Sequence, residues 1–151
     1  MGTSPTADEL RSWERLLRFH RRTIARLDEQ LRARADLGLD DYDVLHQLSL
    51  ADDRRLRMGE LAERMLIAPS SCSRIVDRLV RRGLVHRDRD PDDRRVVWAS
   101  LSDEGRRRHR RAATTHVRGI GHLVTGPLDE GQLATLDAVL DRWERVEAPL
   151  P

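Results

Sequence analysis

Apolar residues near the start of the chain recur every three or four positions, which is the spacing of one face of a helix. A capping box formed by Thr6 and Glu9 precedes this run and predicts where the helix begins. The narrow apolar seam consists of Leu10, Trp13, Leu17, His20, Ile24, Leu27 and Leu31. Such a seam is typical of a helix that pairs with another helix. We therefore predict a first helix that ends at Gly38 and packs on a partner from its own chain or from a second copy.

Shorter periodic segments follow, separated by turn residues. Residues 39–51 predict a second helix capped by Asp40, and MGELAERM predicts a third helix after the charged connector DDRRLR. Pro69 suits the first position of a fourth helix, and Gly83 suits the left-handed residue that ends it. Two brief strands, LVHR and RVVWASL, complete this central unit.

Two more helices are predicted after the strands. Ser102 caps a long helix that ends at Gly126 and Pro127. Asp129 begins the last helix, with Gln132 as its capping-box partner. The apolar face of this helix consists of Leu133, Leu136, Val139, Leu140, Trp143 and Val146. The order of elements predicts a mainly α fold, a single domain over the whole chain, with six helices and a two-stranded β-wing.

Composition limits the classes of protein that fit this pattern. Charged residues make up 36% of the chain and aromatic residues only 3%, so the core must consist of aliphatic side chains. All 28 basic residues are Arg, yet the net charge is only +2, so any case for nucleic acid depends on local clustering. The single cysteine, Cys72, excludes an internal disulfide and fits a reducing cytosol. With no signal peptide and no apolar run of about 18 to 20 residues, we expect a cytoplasmic protein without membrane contact.

Two short helices with a tight connector, the second of which begins with polar residues, form the pattern of a helix-turn-helix. Residues at the start of the second helix reach base edges in such proteins, and here they are small hydrogen-bonding or guanine-reading types. These candidates for DNA contact are Ser70, Ser71, Ser73 and Arg74. Arg78 lies further along the helix, where it fits either a phosphate contact or the solvated face.

The segment from Arg87 to Arg95 holds four Arg, four Asp and Pro91. Composition alone predicts a disordered linker. Between two strands and directly after a helix-turn-helix, however, the segment is interpreted as the tip of a wing. Pro and Asp favour a turn there, and Arg side chains can enter the narrow minor groove. We interpret Asp93 as the brace of the tip, Arg95 as the inserted side chain and Arg94 as a phosphate contact.

These segments resemble the MarR-type regulators. LVHRDRDPDDRRVVWASLSDEG is similar to the family's wing pattern of L-V-x-R, a polar tip, D-x-R, a strand and L-T/S-x-x-G. GELAERMLIAPSSCSRIVDRLVRRGLVHR is similar to its pattern LA…S…R-x-V-D-x-L-x-x-x-G-L-V-x-R. The resemblance implies a homodimeric winged helix-turn-helix transcription factor, usually a repressor, bound to a near-palindrome in double-stranded DNA. Residues 39–102 would form the DNA-binding lobe, and residues 6–38 and 103–148 would form dimerisation helices.

The resemblance also implies a small effector, often phenolic or anionic, that binds between the dimer helices and the DNA-binding lobe and releases DNA. The candidate side chains for such a ligand are Trp13, His20, Tyr42 and His46. Each of them fits an ordinary packing role as well.

Several alternatives stay open from the sequence alone. A helical adaptor that binds a protein partner and no DNA would explain the end helices, whereas no enzyme motif supports catalysis. Cys72 fits a packing residue or a redox sensor. His109 and His116 could share a helix face, but they match no metal motif, so no metal or other cofactor is expected. The run RRRHRR at 106–111 fits phosphate contacts or a solvated surface.

Overall fold

The computed structural model describes residues 4–145 as six α-helices and a small antiparallel sheet. The helices are α1 (Ala7–Ala35), α2 (Leu39–Leu50), α3 (Met58–Arg64), α4 (Pro69–Arg81), α5 (Asp103–Ile120) and α6 (Glu130–Glu144). The strands are β1 (Arg55–Arg57), β2 (Val85–Arg89) and β3 (Val97–Leu101). Val146, assigned above to the last apolar face, and the end of the segment 103–148 lie outside the described residues.

Side-chain caps begin the first and last helices where the sequence predicts them. The Thr6 hydroxyl accepts a hydrogen bond from the Glu9 N–H at 3.3 Å, and the Glu9 carboxylate accepts from the Thr6 N–H at 2.6 Å. Asp129 and Gln132 exchange the same pair of bonds at 2.8 and 3.0 Å. Both predicted capping boxes are confirmed, because each depends only on residues three positions apart.

The end of α1 differs from the prediction. The helix ends at Ala35, and Asp36 takes a left-handed conformation with φ 53°. Gly38, expected to stop the first helix, instead lies at the N-terminal cap of α2. The predicted cap at Asp40 is also wrong, since the carboxylate of Asp41 accepts the Gly38 N–H at 3.3 Å. Asp41 occupies the third helical position, from which a carboxylate can reach back to the cap.

Helix α4 begins and ends as predicted. Pro69 occupies its first turn, and Gly83 takes a left-handed φ of 69° just beyond its end. The N–H of Leu84 then bonds to the carbonyl of Leu79 at 3.0 Å, which closes the C-terminal cap. The buried face of the helix consists of Cys72, Ile75, Val76 and Leu79.

The sheet has three strands in the order β1–β3–β2, not two. Leu56 of β1 pairs with Ala99 of β3, and Val85 of β2 pairs with Leu101. The sequence placed β1 in a charged connector because three residues with one buried leucine are too short to show alternation. Strand β2 also runs further than expected, to Arg89, so the tip of the wing is the shorter segment 90–96.

Helix α5 begins close to the backbone of Leu84, three residues beyond the end of α4. The hydroxyl of Ser102 accepts the Gly105 N–H at 2.9 Å, which confirms the predicted cap. A Cβ atom on Gly105 would lie 2.0 Å from the carbonyl oxygen of Leu84, so only glycine fits there. Beyond Ile120 the helix continues as a π-helical turn, Gly121–Thr125, and ends at Gly126 as expected.

The hydrophobic core lies in the central part of the chain and in the elements that contact it. Its fully buried leucines include Leu31, Leu37, Leu45, Leu48, Leu61 and Leu79. In contrast, no described residue of α6 is buried, and the first half of α1 exposes large apolar side chains. Within residues 4–145, no helix is long and apolar enough to cross a membrane.

Candidate nucleic-acid interface

The first two turns of α4 present the side chains that the sequence assigns to base contacts. Ser70 and Arg74 are exposed, whereas Ser71 and Ser73 are half-buried. A guanidinium nitrogen of Arg74 lies 3.4 Å from the hydroxyl of Ser71. The helix thus begins with a polar surface available to a partner, and DNA contact by these four residues remains a prediction.

A polar link between α4 and β2 holds this surface in place. Arg87 of β2 donates to the hydroxyl of Ser73 at 3.2 Å and forms an ion pair with Asp77. The sequence pattern assigns Arg87 to the tip of the wing and gives Asp77 no role. The signal that could have found them is the family pattern itself, in which Asp77 is the D of R-x-V-D and Arg87 is the R of L-V-x-R.

Arg78 lies in a different environment from the one expected of a side chain free to bind phosphate. Its Nε donates to the Oδ1 atom of Asp41 at 2.9 Å, and a second nitrogen donates to the same oxygen. The side chain of Asp41 is only 6% exposed, whereas that of Arg78 is 44% exposed. A phosphate would therefore have to compete with a buried carboxylate for this guanidinium.

The tip of the wing is ordered by Asp90, a residue that sequence reasoning did not select. Its carboxylate accepts hydrogen bonds from Trp98 Nε1 at 2.8 Å and from the N–H groups of Asp92 and Asp93 at 2.9 and 3.1 Å. The bond from Trp98, followed by the two backbone bonds, holds the pKa of Asp90 below its usual range. The backbone also closes, because the Asp90 N–H bonds to the Val96 carbonyl at 2.9 Å.

Asp93 and Arg95 contact each other within this tip. The Nε and backbone N–H of Arg95 lie 3.0 and 3.1 Å from Asp93 Oδ1. These bonds, the side-chain bond first, hold the pKa of Asp93 below its usual range. Arg95 is 91% exposed and Arg94 is also exposed. The predicted brace therefore lies against the side chain predicted to enter the minor groove, and both DNA roles remain predictions.

Strand β1 adds basic side chains to the base of the wing. The guanidinium groups of Arg55 and Arg57 lie over the ring of Trp98, with their carbons 4.2 and 5.3 Å from its centroid. Such stacking orients an arginine while its remaining donors face outward. Sequence reasoning missed both residues because it did not predict β1.

Two of the four candidate ligand residues come together with two histidines of α5. His46 Nδ1 lies 3.2 Å from His109 Nε2, and the Tyr42 ring lies 5.7, 5.4 and 4.5 Å from the rings of His46, His109 and His116. We call these four side chains the aromatic cluster. The other two candidates, Trp13 and His20, are exposed on α1.

Burial shifts the pKa of three members of the aromatic cluster. It lowers the pKa of both His109 and His116, with the charge of His46 as the next cause, and it raises the pKa of Tyr42. The Nδ1 atom of His116 is buried without a hydrogen-bond partner among residues 4–145. In that same part of the chain, no group of three or more metal-binding side chains has the geometry to hold a metal ion.

Two other residue groups that the sequence left open are placed as follows. Cys72 is fully buried in α4, and burial raises the pKa of its thiol, so the reactive thiolate is disfavoured. In the run 106–111, Arg107 pairs with Glu104 at 2.8 Å, and Arg110 and Arg111 are exposed.

The fold and this surface define a winged helix-turn-helix protein, and comparisons with known proteins agree. A sequence profile described as the MarR family matches residues 35–96. The crystal structure of Sco3205, a MarR family transcriptional regulator from Streptomyces coelicolor in complex with DNA, is 32% identical. The match covers 99% of this chain and 93% of that chain, with a TM-score of 0.91. The chain therefore belongs to the MarR family, whose members regulate transcription and are not enzymes.

Two further relatives support this assignment. AbsC, a MarR family transcriptional regulator from the same organism, is 27% identical over 95% of this chain and 96% of that chain, with a TM-score of 0.86. The HTH-type transcriptional repressor MdtR of Bacillus subtilis is 35% identical over 77 residues, which is 51% of this chain. That alignment spans 50% of the length of MdtR, so it covers about half of each protein.

Proposed function

We propose that this chain is a sequence-specific DNA-binding repressor that acts in the cytoplasm as a homodimer on a near-palindromic operator. The observation that carries the proposal is the link from Arg87 of β2 to Ser73 and Asp77 of α4. Because of this link, the exposed start of α4 and the wing form one unit. The DNA complex of the similar regulator Sco3205 supports assigning this unit to DNA. The alternative of an adaptor that binds no DNA is not favoured.

A homodimer is supported by the apolar surface of the end helices. Large side chains that one copy leaves exposed include Leu10, Trp13 and Phe19 on α1 and Leu140 and Trp143 on α6. Large apolar side chains left exposed on the same two helices favour an interaction surface. A second copy placed against α1 and α6 would cover these side chains. Its α4, the proposed recognition helix, would then lie about 34 Å, one turn of DNA, from the α4 of the first copy.

An effector site in the aromatic cluster is part of the proposal. The cluster lies between α2 of the DNA-binding lobe and α5, and the unpartnered nitrogen of His116 could bond a phenolic hydroxyl or an anionic oxygen. An effector at this position releases DNA only if it binds the dimer conformation that cannot contact the operator more tightly than the conformation that can.

Footprinting tests the proposal directly. Purified protein and DNA from upstream of its own gene are expected to give a protected site with two related half-sites, and protection should weaken steeply as salt rises. Phenolic and anionic metabolites added to the same reactions should reduce protection if the effector assignment is correct. A protein that protects no fragment even at low salt would contradict the proposed function.

A further inference from the structure

A buried carboxylate lies where α2 meets the end of the recognition helix. The side chain of Asp41 is 6% exposed and accepts from the Gly38 N–H of its own helix start at 3.3 Å. Its Oδ1 accepts from Arg78 at 2.9 Å, and its Oδ2 accepts from NH1 of Arg82 at 3.3 Å. One carboxylate on α2 thus binds two arginines, one from the last turn of α4 and one from its C-terminal cap.

Arg82 extends this contact to the end of α1. Its NH2 donates to the side chain of Asp36 at 2.9 Å and also to the backbone carbonyl of the same residue. Arg108 of α5 donates to the Asp36 carboxylate and to the Ala35 carbonyl, both at 3.3 Å. A continuous polar path therefore joins α5, the α1–α2 corner (residues 36–38) and the recognition helix α4.

The physical character of these contacts differs from that of the core beneath them. Apolar packing between α2 and α4 is non-directional, so it resists separation more than a small rotation. A guanidinium binds a carboxylate through a planar set of donors and therefore restricts orientation. A carboxylate as buried as Asp41 also needs its partners, because an unpaired buried charge is strongly unfavourable.

We propose that Asp41 and Asp36 are positioning residues, which fix the orientation of α4 relative to the α1–α2 corner through Arg78 and Arg82. In this arrangement Arg78 acts on DNA affinity through Asp41 and not by binding a phosphate. The inference rests on the proposed function of α4 as the DNA-reading helix. It adds that the recognition helix is oriented by ion pairs with Asp41 on α2 and with Asp36 just after α1, and that Arg108 of α5 binds the same Asp36 carboxylate.

The salt dependence of operator binding separates positioning from phosphate contact. The affinity falls as salt rises, and loss of one phosphate contact reduces the magnitude of this negative slope of log affinity against log salt by about 0.9, whereas loss of a positioning residue leaves the slope unchanged. Arg78→Gln is expected to weaken binding about tenfold at an unchanged slope. If the magnitude of the slope decreases by about 0.9 instead, Arg78 binds a phosphate and the inference is wrong.

Pairing the substitutions tests whether Arg78 acts through Asp41. The double variant Asp41→Asn/Arg78→Gln should bind no more weakly than Asp41→Asn alone, because the two residues act as one unit. Arg81→Gln is the matched control, since Arg81 is exposed on the same helix turn and has no ion pair among the described residues. Its effect should add in full to that of Asp41→Asn. Full additivity for Arg78→Gln would overturn the proposal.

Asp36→Asn tests the inference with a variant that is expected to fold even if substitution of the buried Asp41 unfolds the protein. The Asp36 side chain is 84% exposed, and Asn tolerates its left-handed backbone, so this variant keeps the fold while losing the charge that binds Arg82. We expect a smaller loss of affinity, about threefold, again at an unchanged slope. Wild-type affinity in Asp36→Asn would remove Asp36 from the proposal and contradict it.

A measurement without DNA separates this inference from the proposed function. Amide hydrogen exchange in the last turn of α4 should be about threefold faster in Arg78→Gln and Asp36→Asn than in the wild type, with exchange in α6 unchanged. Unchanged exchange in α4 would overturn the inference whether or not the protein binds DNA. Faster exchange in a protein that binds no DNA fragment would retain the positioning pairs and reject the proposed function.

Discussion

The DNA-binding lobe and the end helices bury their apolar side chains to different extents. In the lobe, Leu45 and Leu79 are completely buried within one copy of the chain. On the end helices, Trp13 and Trp143 are 55% and 53% exposed although each belongs to a regular apolar face. The two regions have similar helix patterns in the sequence. The difference shows that the lobe completes its core within one chain, whereas α6 and the first half of α1 leave large apolar side chains exposed, as the proposed homodimer requires.

The largest effect is expected from a cavity in the lobe. Leu79→Ala removes a fully buried side chain from α4 and should lower the free energy of unfolding by about 2–5 kcal/mol. Denaturant unfolding followed by circular dichroism measures the change. Leu66→Ala is the control, because Leu66 is 92% exposed and its replacement should change stability little. Equal losses in the two variants would contradict the distinction between a buried and an exposed leucine.

A charged side chain on the end helices should weaken dimer assembly without unfolding the DNA-binding lobe. Leu140→Glu places a carboxylate on the exposed apolar face of α6, and we expect the dimer to dissociate at protein concentrations about a hundredfold higher than for the wild type. Sedimentation measured over a range of concentrations determines the dissociation constant. The lobe should retain its near-native circular dichroism. A wild-type chain that is monomeric at every concentration would refute the dimer, and a variant with unchanged assembly would exclude Leu140 from the interface.

Arg95→Ala should have the opposite effect to Leu140→Glu, because it should weaken DNA binding and leave dimer assembly intact. We expect operator affinity to fall about tenfold, since the side chain is exposed at the tip of the wing and is held there by Asp93. Fluorescence anisotropy with a labelled operator measures the affinity, and sedimentation checks the dimer. Unchanged affinity would show that the tip does not insert into DNA. Asp88→Ala, an exposed strand residue of the same wing, serves as the control.

The smallest effect is expected from pH, at the aromatic cluster that joins the two regions. The folded-state pKa of His109 and of His116 is lowered by burial, so the unfolded chain takes up protons first as the pH falls. Their contribution to stability is therefore complete above about pH 6.5 and is lost as the pH falls through the folded pKa, with a slope of at most about 1.4 kcal/mol per pH unit for each proton.

Denaturant unfolding between pH 5 and pH 8 measures this slope, with His116→Gln as the test variant. The variant should show a shallower dependence than the wild type below about pH 6.5. His122→Gln is the matched control, because His122 is exposed near the end of α5. A wild-type slope retained in His116→Gln would exclude this histidine as a source of the pH dependence.

Elements that depend on nearby residues were predicted well from the sequence. The capping box of Thr6 and Glu9, the proline that begins α4 and the left-handed Gly83 each involve positions no more than a few residues apart. The end of α1 was mispredicted because two competing signals lie close together. Gly38 is a reasonable stop for a helix, yet Asp36 ends α1 first and leaves the glycine free to cap α2.

The same distinction between local and long-range contacts applies to the residues of the candidate site. Sequence position predicted that Ser70 and Arg74 lie at the exposed start of α4, because helix direction and periodicity determine this. It did not predict that Arg55 and Arg57 stack on Trp98, because the pairing of β1 with β3 joins segments more than forty residues apart in sequence. The role of Asp90 as the acceptor for Trp98 was missed for a related reason, since four aspartates in one short segment cannot be ranked without the fold of the tip.

The sequence by itself therefore determined the six helices, most of their caps, the winged unit without β1, and the family to which the chain belongs, because each depends on local spacing or on a continuous motif. Only the tertiary structure decided which charged and aromatic side chains act together. Arg78 and Asp41 are 37 residues apart, and His46 and His109 are 63 residues apart, yet each pair is in hydrogen-bond contact. Nothing in the local pattern distinguishes Arg78 from Arg81. The packing of α2 against α4 brings a buried carboxylate to Arg78, whereas Arg81 has no ion pair among residues 4–145.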